Sequence, residues 1–176
     1  MVKFFIEPGY DVKFPVREFG NAGIDCFVPK YSEQFSEAFY NKNAATEAVL
    51  VEDSGTYYIE VKPHCDVNIP TGLRCRISPN TALEAHNKSG VASKKKLVFG
   101  ASTVDASYQG IIHAHLINTS NKTVRIDLGE KIVQFIPRLI DLSPIEVVED
   151  GDFEKFYENF EFDNRGDGAF GSTGIK

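Results

Sequence analysis

Apolar and polar residues alternate in short bursts along this chain, and turn formers separate the bursts. Val2–Ile6 predicts a first strand, ended by Pro8-Gly9, and Ile24–Val28 a second, closed by Pro29. Thr56–Val61 alternates and stops at Pro63. Asp66–Ile69 and Leu73–Ile77 flank Pro70-Thr71-Gly72, with proline and glycine where a turn favours them. Leu97–Phe99, Ile111–Ile117, Thr123–Ile126, Ile132–Leu139 and Ile145–Val148 follow. Roughly ten short strands with turns between them predict an all-β sandwich, jelly roll or barrel.

Two segments break the pattern. Ser32–Glu47 has apolar residues at 35, 38 and 39, the spacing of one helical face, which predicts a helix or long excursion between strands. Phe153–Phe162 places Phe153, Phe156 and Phe160 at helical spacing among acidic residues, as a short amphipathic helix or a docking aromatic tail would. From Arg165 onward the chain is glycine-rich, the composition of a flexible terminal arm.

The length, 176 residues, allows one domain with an added hairpin or helix. A net charge of −6 does not favour binding a nucleic-acid polymer. A small anion is still accessible, since a local pocket needs only a few lysines and backbone N–H groups. The three cysteines, at 26, 65 and 75, are an odd set without zinc-finger spacing, so reduced thiols in the cytoplasm are expected. The first residues carry too short an apolar run for a signal peptide, and no apolar stretch is long enough to cross a membrane.

Five segments hold chemistry. Asp25 lies inside an apolar strand, where a carboxylate is rare unless paired. Lys88-Ser89-Gly90 leads into Lys94, Lys95 and Lys96, the most basic stretch of the chain, suited either to phosphates or to water. Asp105 follows Val104 amid small residues, with Tyr108 three later and a glycine turn beyond. It is a general base for water or a turn-forming Asp. Gln134 is a polar residue in an apolar strand after the Gly129 turn. In the terminal arm, Arg165 offers a fork to phosphate, Ser172 and Thr173 offer hydroxyls, and Phe170 sits among glycines with no core to join.

In order, these read AGID at 22–25, KSGVASK at 88–94, VDASYQG at 104–110, GEKIVQF at 129–135 and RGDGAFGSTG at 165–174. The ordered set resembles the five motifs of the trimeric deoxyuridine triphosphatases (dUTPases). That resemblance implies a jelly-roll β-barrel over residues 1–164, carrying an insert at about 30–56, with residues 165–176 as an arm that closes the site. It implies a homotrimer whose active sites gather motifs from all three chains, and hydrolysis of dUTP to dUMP and pyrophosphate with Mg2+. Carried over by motif, Asp105 activates the attacking water and Tyr108 packs on the deoxyribose. Ser102, Thr103, Val104 and the hairpin from Asp105 to His113 form the nucleoside pocket. Lys88, Ser89, Gly90 and Gln134 touch phosphates, and Asp25 holds the metal through water. Arg165, Ser172 and Thr173 grip the γ-phosphate, while Phe170 and Gly171 cover the base.

Several positions depart from the family pattern: Lys88 and Lys131 stand where arginine is usual, and Ser102 and Ala169 where glycine is usual. The insert reads as a surface decoration, or more sharply as a partner-binding element. Three rivals remain. A dCTP deaminase of the same fold would carry Glu at position 115, which here is His115. The His113/His115 pair reads as one strand face. A nucleotide-binding regulatory protein would bind without turnover, and a structural jelly roll would not need the glycine-rich arm.

Overall fold

The computed structural model describes residues 1–148 and 151. Met1–Leu142 forms one compact unit, and residues from Ser143 onward belong to another. In chain order the first unit contains β1 (Lys3–Ile6), β2 (Ile24–Phe27), α1 (Glu33–Lys42), β3 (Val49–Asp53), β4 (Thr56–Val61), β5 (Asp66–Pro70) and β6 (Leu73–Arg76). It continues with β7 (Thr81–His86), a π-helical turn at Val91–Lys95, β8 (Leu97–Phe99), β9 (Thr103–Val104), β10 (His113–Asn118), β11 (Val124–Asp127) and β12 (Lys131–Leu139). The strands pair antiparallel as β1-β6, β5-β10-β8, β11-β4-β3 and β2-β12-β7-β9. Neighbours in space are mostly distant in sequence, the connectivity of a jelly-roll-like all-β fold.

Local chemistry sets these boundaries. Gly72 turns the chain between β5 and β6 with φ +69, and a Cβ there would meet the Tyr10 ring at 2.5 Å. A glycine is therefore required twice over, by backbone conformation and by close approach. Ser54 and Gly55, with φ of 51 and 83, close the β3-β4 hairpin at an exposed tip. Ser32 caps α1 by accepting the Phe35 N–H at 3.1 Å, and Glu33 adds negative charge to the first turn. The helix stops at Asn43, ten residues in rather than running on to Glu47. The Asn43 amide is drawn away to β5: it donates to the Asn68 carbonyl and accepts the Asn68 N–H, both at 2.8 Å.

The sequence pattern missed three strands. β7 reads TALEAH, poor in β-branched and aromatic residues, but β12 pairs with it on one side and β9 on the other. Tertiary pairing overrides weak propensity there. β9 is only two residues long. β3 fell inside the excursion. Ile145–Val148 is not a strand, because apolar character alone does not supply ladder partners. The segment 153–162 lies outside the described residues.

The core joins Phe35, Phe39, Ile59, Ile69, Leu73, Leu83, Leu97, Leu116, Ile126, Ile132 and Phe135, all fully buried. Phe35 and Phe39 come from α1, so the insert is part of the core and not a surface decoration. Each such side chain contributes about 1.5–3 kcal/mol on burial. All three cysteines are free, and burial pushes the Cys26 thiol up to about 12, which keeps it unreactive. No helix among the described residues is long and apolar enough to cross a membrane.

Candidate active site

Strand β12 organises the chemistry. Gln134 pairs with Asp25 of β2 on one side and His86 of β7 on the other. Cross-strand partners share a face, so Asp25, Gln134 and His86 form one row. Gly23 makes room for this row: a Cβ there would lie 2.3 Å from Gln134 Oε1. Gln134 Nε2 donates to the Asn87 carbonyl at 3.0 Å, which draws the Asn87–Gly90 loop onto the same face.

Lys88 then reaches Asp25 and donates to its Oδ1, while Lys131 Nζ lies 3.1 Å from Oδ2. Burial opposes ionisation of Asp25, but hydrogen bonds and charge from both lysines outweigh it and hold the carboxyl below its ordinary range. A cavity of about 460 Å³ opens beside this triad, lined by Lys88, Ser89, Gly90 and Gln134. Lys94, Lys95, Glu130 and Lys131 also line it. Lys95 pairs with Glu130 at 2.7 Å, whereas Lys94 has no acidic partner among the described residues. A pocket so lined attracts oxyanions within an acidic molecule.

The opposite face is different in character. Phe135 pairs with Ala85, and Val104 of β9 with Leu83, so these residues point away from the lysines. A second cavity, of about 190 Å³, is floored by Ala85, Ile112 and Phe135 and lined by Ser102, Thr103, Val104, Asp105, Tyr108 and His113. Asp105 is exposed, and its carboxylate makes no hydrogen bond with the described residues. Its carbonyl accepts the Tyr108 N–H at 3.1 Å, closing a tight turn. Tyr108 in turn donates its hydroxyl to the Ile111 carbonyl at 2.9 Å. Burial, with the charge of Lys42 behind it, lowers the pKa of His113 and favours a neutral ring, outweighing a hydrogen bond from the ring to the Ile111 backbone that acts the other way.

One residue of this region gave no sequence signal. Arg74 pairs with Glu7 at 2.5 and 3.0 Å and donates to the Gln109 carbonyl at 2.5 Å, fixing the hairpin tip. The three residues come from three distant segments, so no local pattern could mark them. Lys94 and Lys95, by contrast, belong to the basic run already visible in the sequence.

The predicted site residues thus gather in two groups, not one. Asp25, Lys88, Ser89, Gly90 and Gln134 converge, and so do Ser102–Asp105, Tyr108 and His113, but the cavities share no lining residue. Gln134 and Phe135, consecutive on β12, open onto opposite faces of one sheet. Arg165, Phe170, Gly171, Ser172 and Thr173 lie outside the described residues. Among the described residues no cluster of three His, Cys, Asp or Glu side chains could hold a metal alone.

Comparison with known proteins places this geometry. The profile of the dUTPase family matches residues 54–174. A deoxyuridine 5'-triphosphate nucleotidohydrolase from Hydrogenobaculum sp. is 31% identical over 157 residues, covering 87% of this chain and 100% of the relative. The protein of that name from Gloeothece citriformis is 27% identical, with 93% and 98% covered. Among solved structures, a mutant dUTPase of Staphylococcus bacteriophage 80alpha with dUpNHpp superposes with TM-score 0.69 at 19% identity over 99% of both chains. A mutant dUTPase of phage phi11, described for its coordination of a structural Mg(II) ion, gives TM-score 0.63 at 18% identity, covering 86% of this chain and 99% of its own. At such identities the structural likeness speaks to fold.

Proposed function

This chain belongs to the dUTPase family and is a dUTP diphosphatase, and we propose that each active site joins the lysine-lined face of one copy to the Asp105 face of another. The observation that carries this reading is the split across one sheet. A single chain holds its phosphate-suited cavity and its nucleoside-suited cavity on opposite faces of β2-β12-β7-β9, which supports completion of each by another copy. A homotrimer meets that requirement by symmetry.

The chemistry follows from the side chains. A triphosphate brings about four negative charges, which Lys88, Lys94 and Lys131, the Ser89 hydroxyl and the Gly90 N–H offset. Asp25 holds the Lys88 and Lys131 ammonium groups in place until the phosphates supply their own charge. Asp105, unpaired and exposed, takes a proton from water as the water oxygen attacks the α-phosphorus. The bond from that phosphorus to the bridging oxygen breaks, and pyrophosphate leaves. Ser102–Val104 and the hairpin through His113 enclose the base, and Tyr108 packs on the sugar. From the terminal arm, Arg165, Ser172 and Thr173 grip the γ-phosphate, with Phe170 and Gly171 over the base.

The donor set fits Mg2+ carried on the substrate. Mg2+ keeps several waters and binds through one or two carboxylates plus substrate phosphates, and Asp25, beside the cavity, and Glu130, in its lining, are carboxylates on that face. When bound, the ion neutralises charge on the phosphate oxygens. The deaminase alternative finds no support, because His115 is absent from the cavity lining and its ring is engaged elsewhere. Free thiols fit a cytoplasmic location.

Pyrophosphate release from dUTP, with dCTP, dTTP and UTP as controls, tests the reading. Asp105→Asn and a Lys88→Ala/Lys94→Ala pair should each lose at least about 10²-fold in turnover. Co-refolding the two inactive proteins should restore part of the activity, since mixed oligomers regain complete sites. No recovery would sink the shared site, and an active Asp105→Asn would sink the base.

A further inference from the structure

His115 makes contacts that its place on a strand face does not require. Its Nδ1 accepts the backbone N–H of Ala101 at 2.9 Å, and its own carbonyl accepts the Gly100 N–H at 3.1 Å. On the far side of the ring, Nε2 lies 3.0 Å from Asp66 Oδ2. Because Nδ1 accepts, Nε2 must carry the proton, and Asp66 on the neighbouring strand β5 selects that tautomer. The register pairs His115 with Asn68 and Ile117 with Asp66, so Asp66 is the diagonal neighbour on the same face.

The segment so held leads straight to Asp105. Its later part is pinned on the other side: the Ser102 carbonyl accepts the Ala85 N–H at 2.7 Å, and Thr103 and Val104 pair with β7. Between β8 and β9 the chain therefore crosses from one sheet to another, and His115 fixes its point of departure. Gly100 is cut to fit, since a Cβ there would lie 2.2 Å from His115 Nδ1. Its φ is outside the left-handed region, so alanine at this position meets the ring and no backbone strain. No leucine or valine could offer an acceptor on one edge and a donor on the other.

We propose that His115 is a positioning residue for dUTP hydrolysis, tethering the Gly100–Asp105 segment so that the Asp105 carboxylate meets the water in register. The inference rests on the reading of Asp105 as the base, and goes beyond it by naming what aims that base. A misplacement of about 1 Å can lower a rate by about 10²-fold, so a tether at this point is felt in turnover.

Five assembled proteins test it: wild type, His115→Phe, His115→Asn, Gly100→Ala and the Gly100→Ala/His115→Phe double variant. Phe keeps a ring but loses both hydrogen bonds, Asn keeps an acceptor near Nδ1, and the alanine methyl displaces the ring from outside. Measured where thermal melts show every protein folded, His115→Phe and Gly100→Ala should lower kcat by roughly 10- to 100-fold. KM for dUTP should stay within about twofold. His115→Asn should recover most of kcat. Gly100→Ala should add nothing in a His115→Phe background, because both remove one interaction. Hydrogen exchange at the Ala101 amide should quicken in step. Unchanged kcat in His115→Phe, equal loss in Asn and Phe, or additive effects of the two changes overturns the proposal. Faster Ala101 exchange without a fall in kcat also overturns it, by confining the tether to stability. Asp105→Asn is assayed alongside: if it still turns over, the base assignment fails by itself, while the amide exchange still reports whether His115 holds the segment.

Discussion

The two faces of the β2-β12-β7-β9 sheet solve opposite problems with the same strand. The Gln134 face is built from long side chains held by charge: Lys88 and Lys131 on Asp25, Lys95 on Glu130. The Phe135 face is built from backbone and small residues over an apolar floor, with one unpaired carboxylate at its edge. Alternation along β12 assigns consecutive residues to each. The difference teaches why one chain keeps them apart. Within a chain, a carboxylate on the lysine face is ion-paired, as Asp25 is with Lys88 and Lys131. Kept on the other face, Asp105 remains open to water.

Asp105→Asn should separate the faces most sharply. We expect dUTP hydrolysis to fall by about 10²- to 10⁴-fold, with affinity for a non-hydrolysable dUTP analogue little changed, as calorimetry would show. Phe135→Ala attacks the shared strand from its apolar side. Its side chain is fully buried, so a loss of about 3–5 kcal/mol in denaturant-derived stability is expected. Lys88→Ala should spare the fold, costing about 1 kcal/mol because Lys131 still holds Asp25. It should weaken triphosphate binding about tenfold and flatten its salt dependence.

The smallest effect is a matter of pH. The half-buried His113 ring resists protonation in the folded protein, while the unfolded chain takes a proton near the ordinary value of 6.5. Wild-type stability should therefore begin to fall as pH drops through that value and go on falling to the lowered folded value. His113→Gln should lose this slope, read from melts across the range. Asp25 acts lower down: its carboxyl is held below the ordinary 3.8, so its contribution stands above that value and is lost only in stronger acid.

Much of this was legible in the sequence, in uneven ways. β4 begins and ends where alternation and Pro63 predict. β7 was hidden, because Ala82, Leu83 and Glu84 become strand only between two partners far along the chain. The motif residues were all visible, yet their division between two faces is a property of register, which no single segment contains. The pairing of Asp25 with two lysines, the Arg74 hold on Gln109 and the His115 tether join residues at least 14 positions apart. Each depends on a fold that local pattern only outlines.

The insert has a practical side as well. With Phe35 and Phe39 in the core and Asn43 stitched to β5, α1 cannot be trimmed to shorten the chain without opening a void. The hairpin that follows it offers the opposite. Its tip at Ser54-Gly55 is exposed and turns on two left-handed residues, so a fluorophore site or affinity tag placed there should be carried without disturbing either face of the sheet.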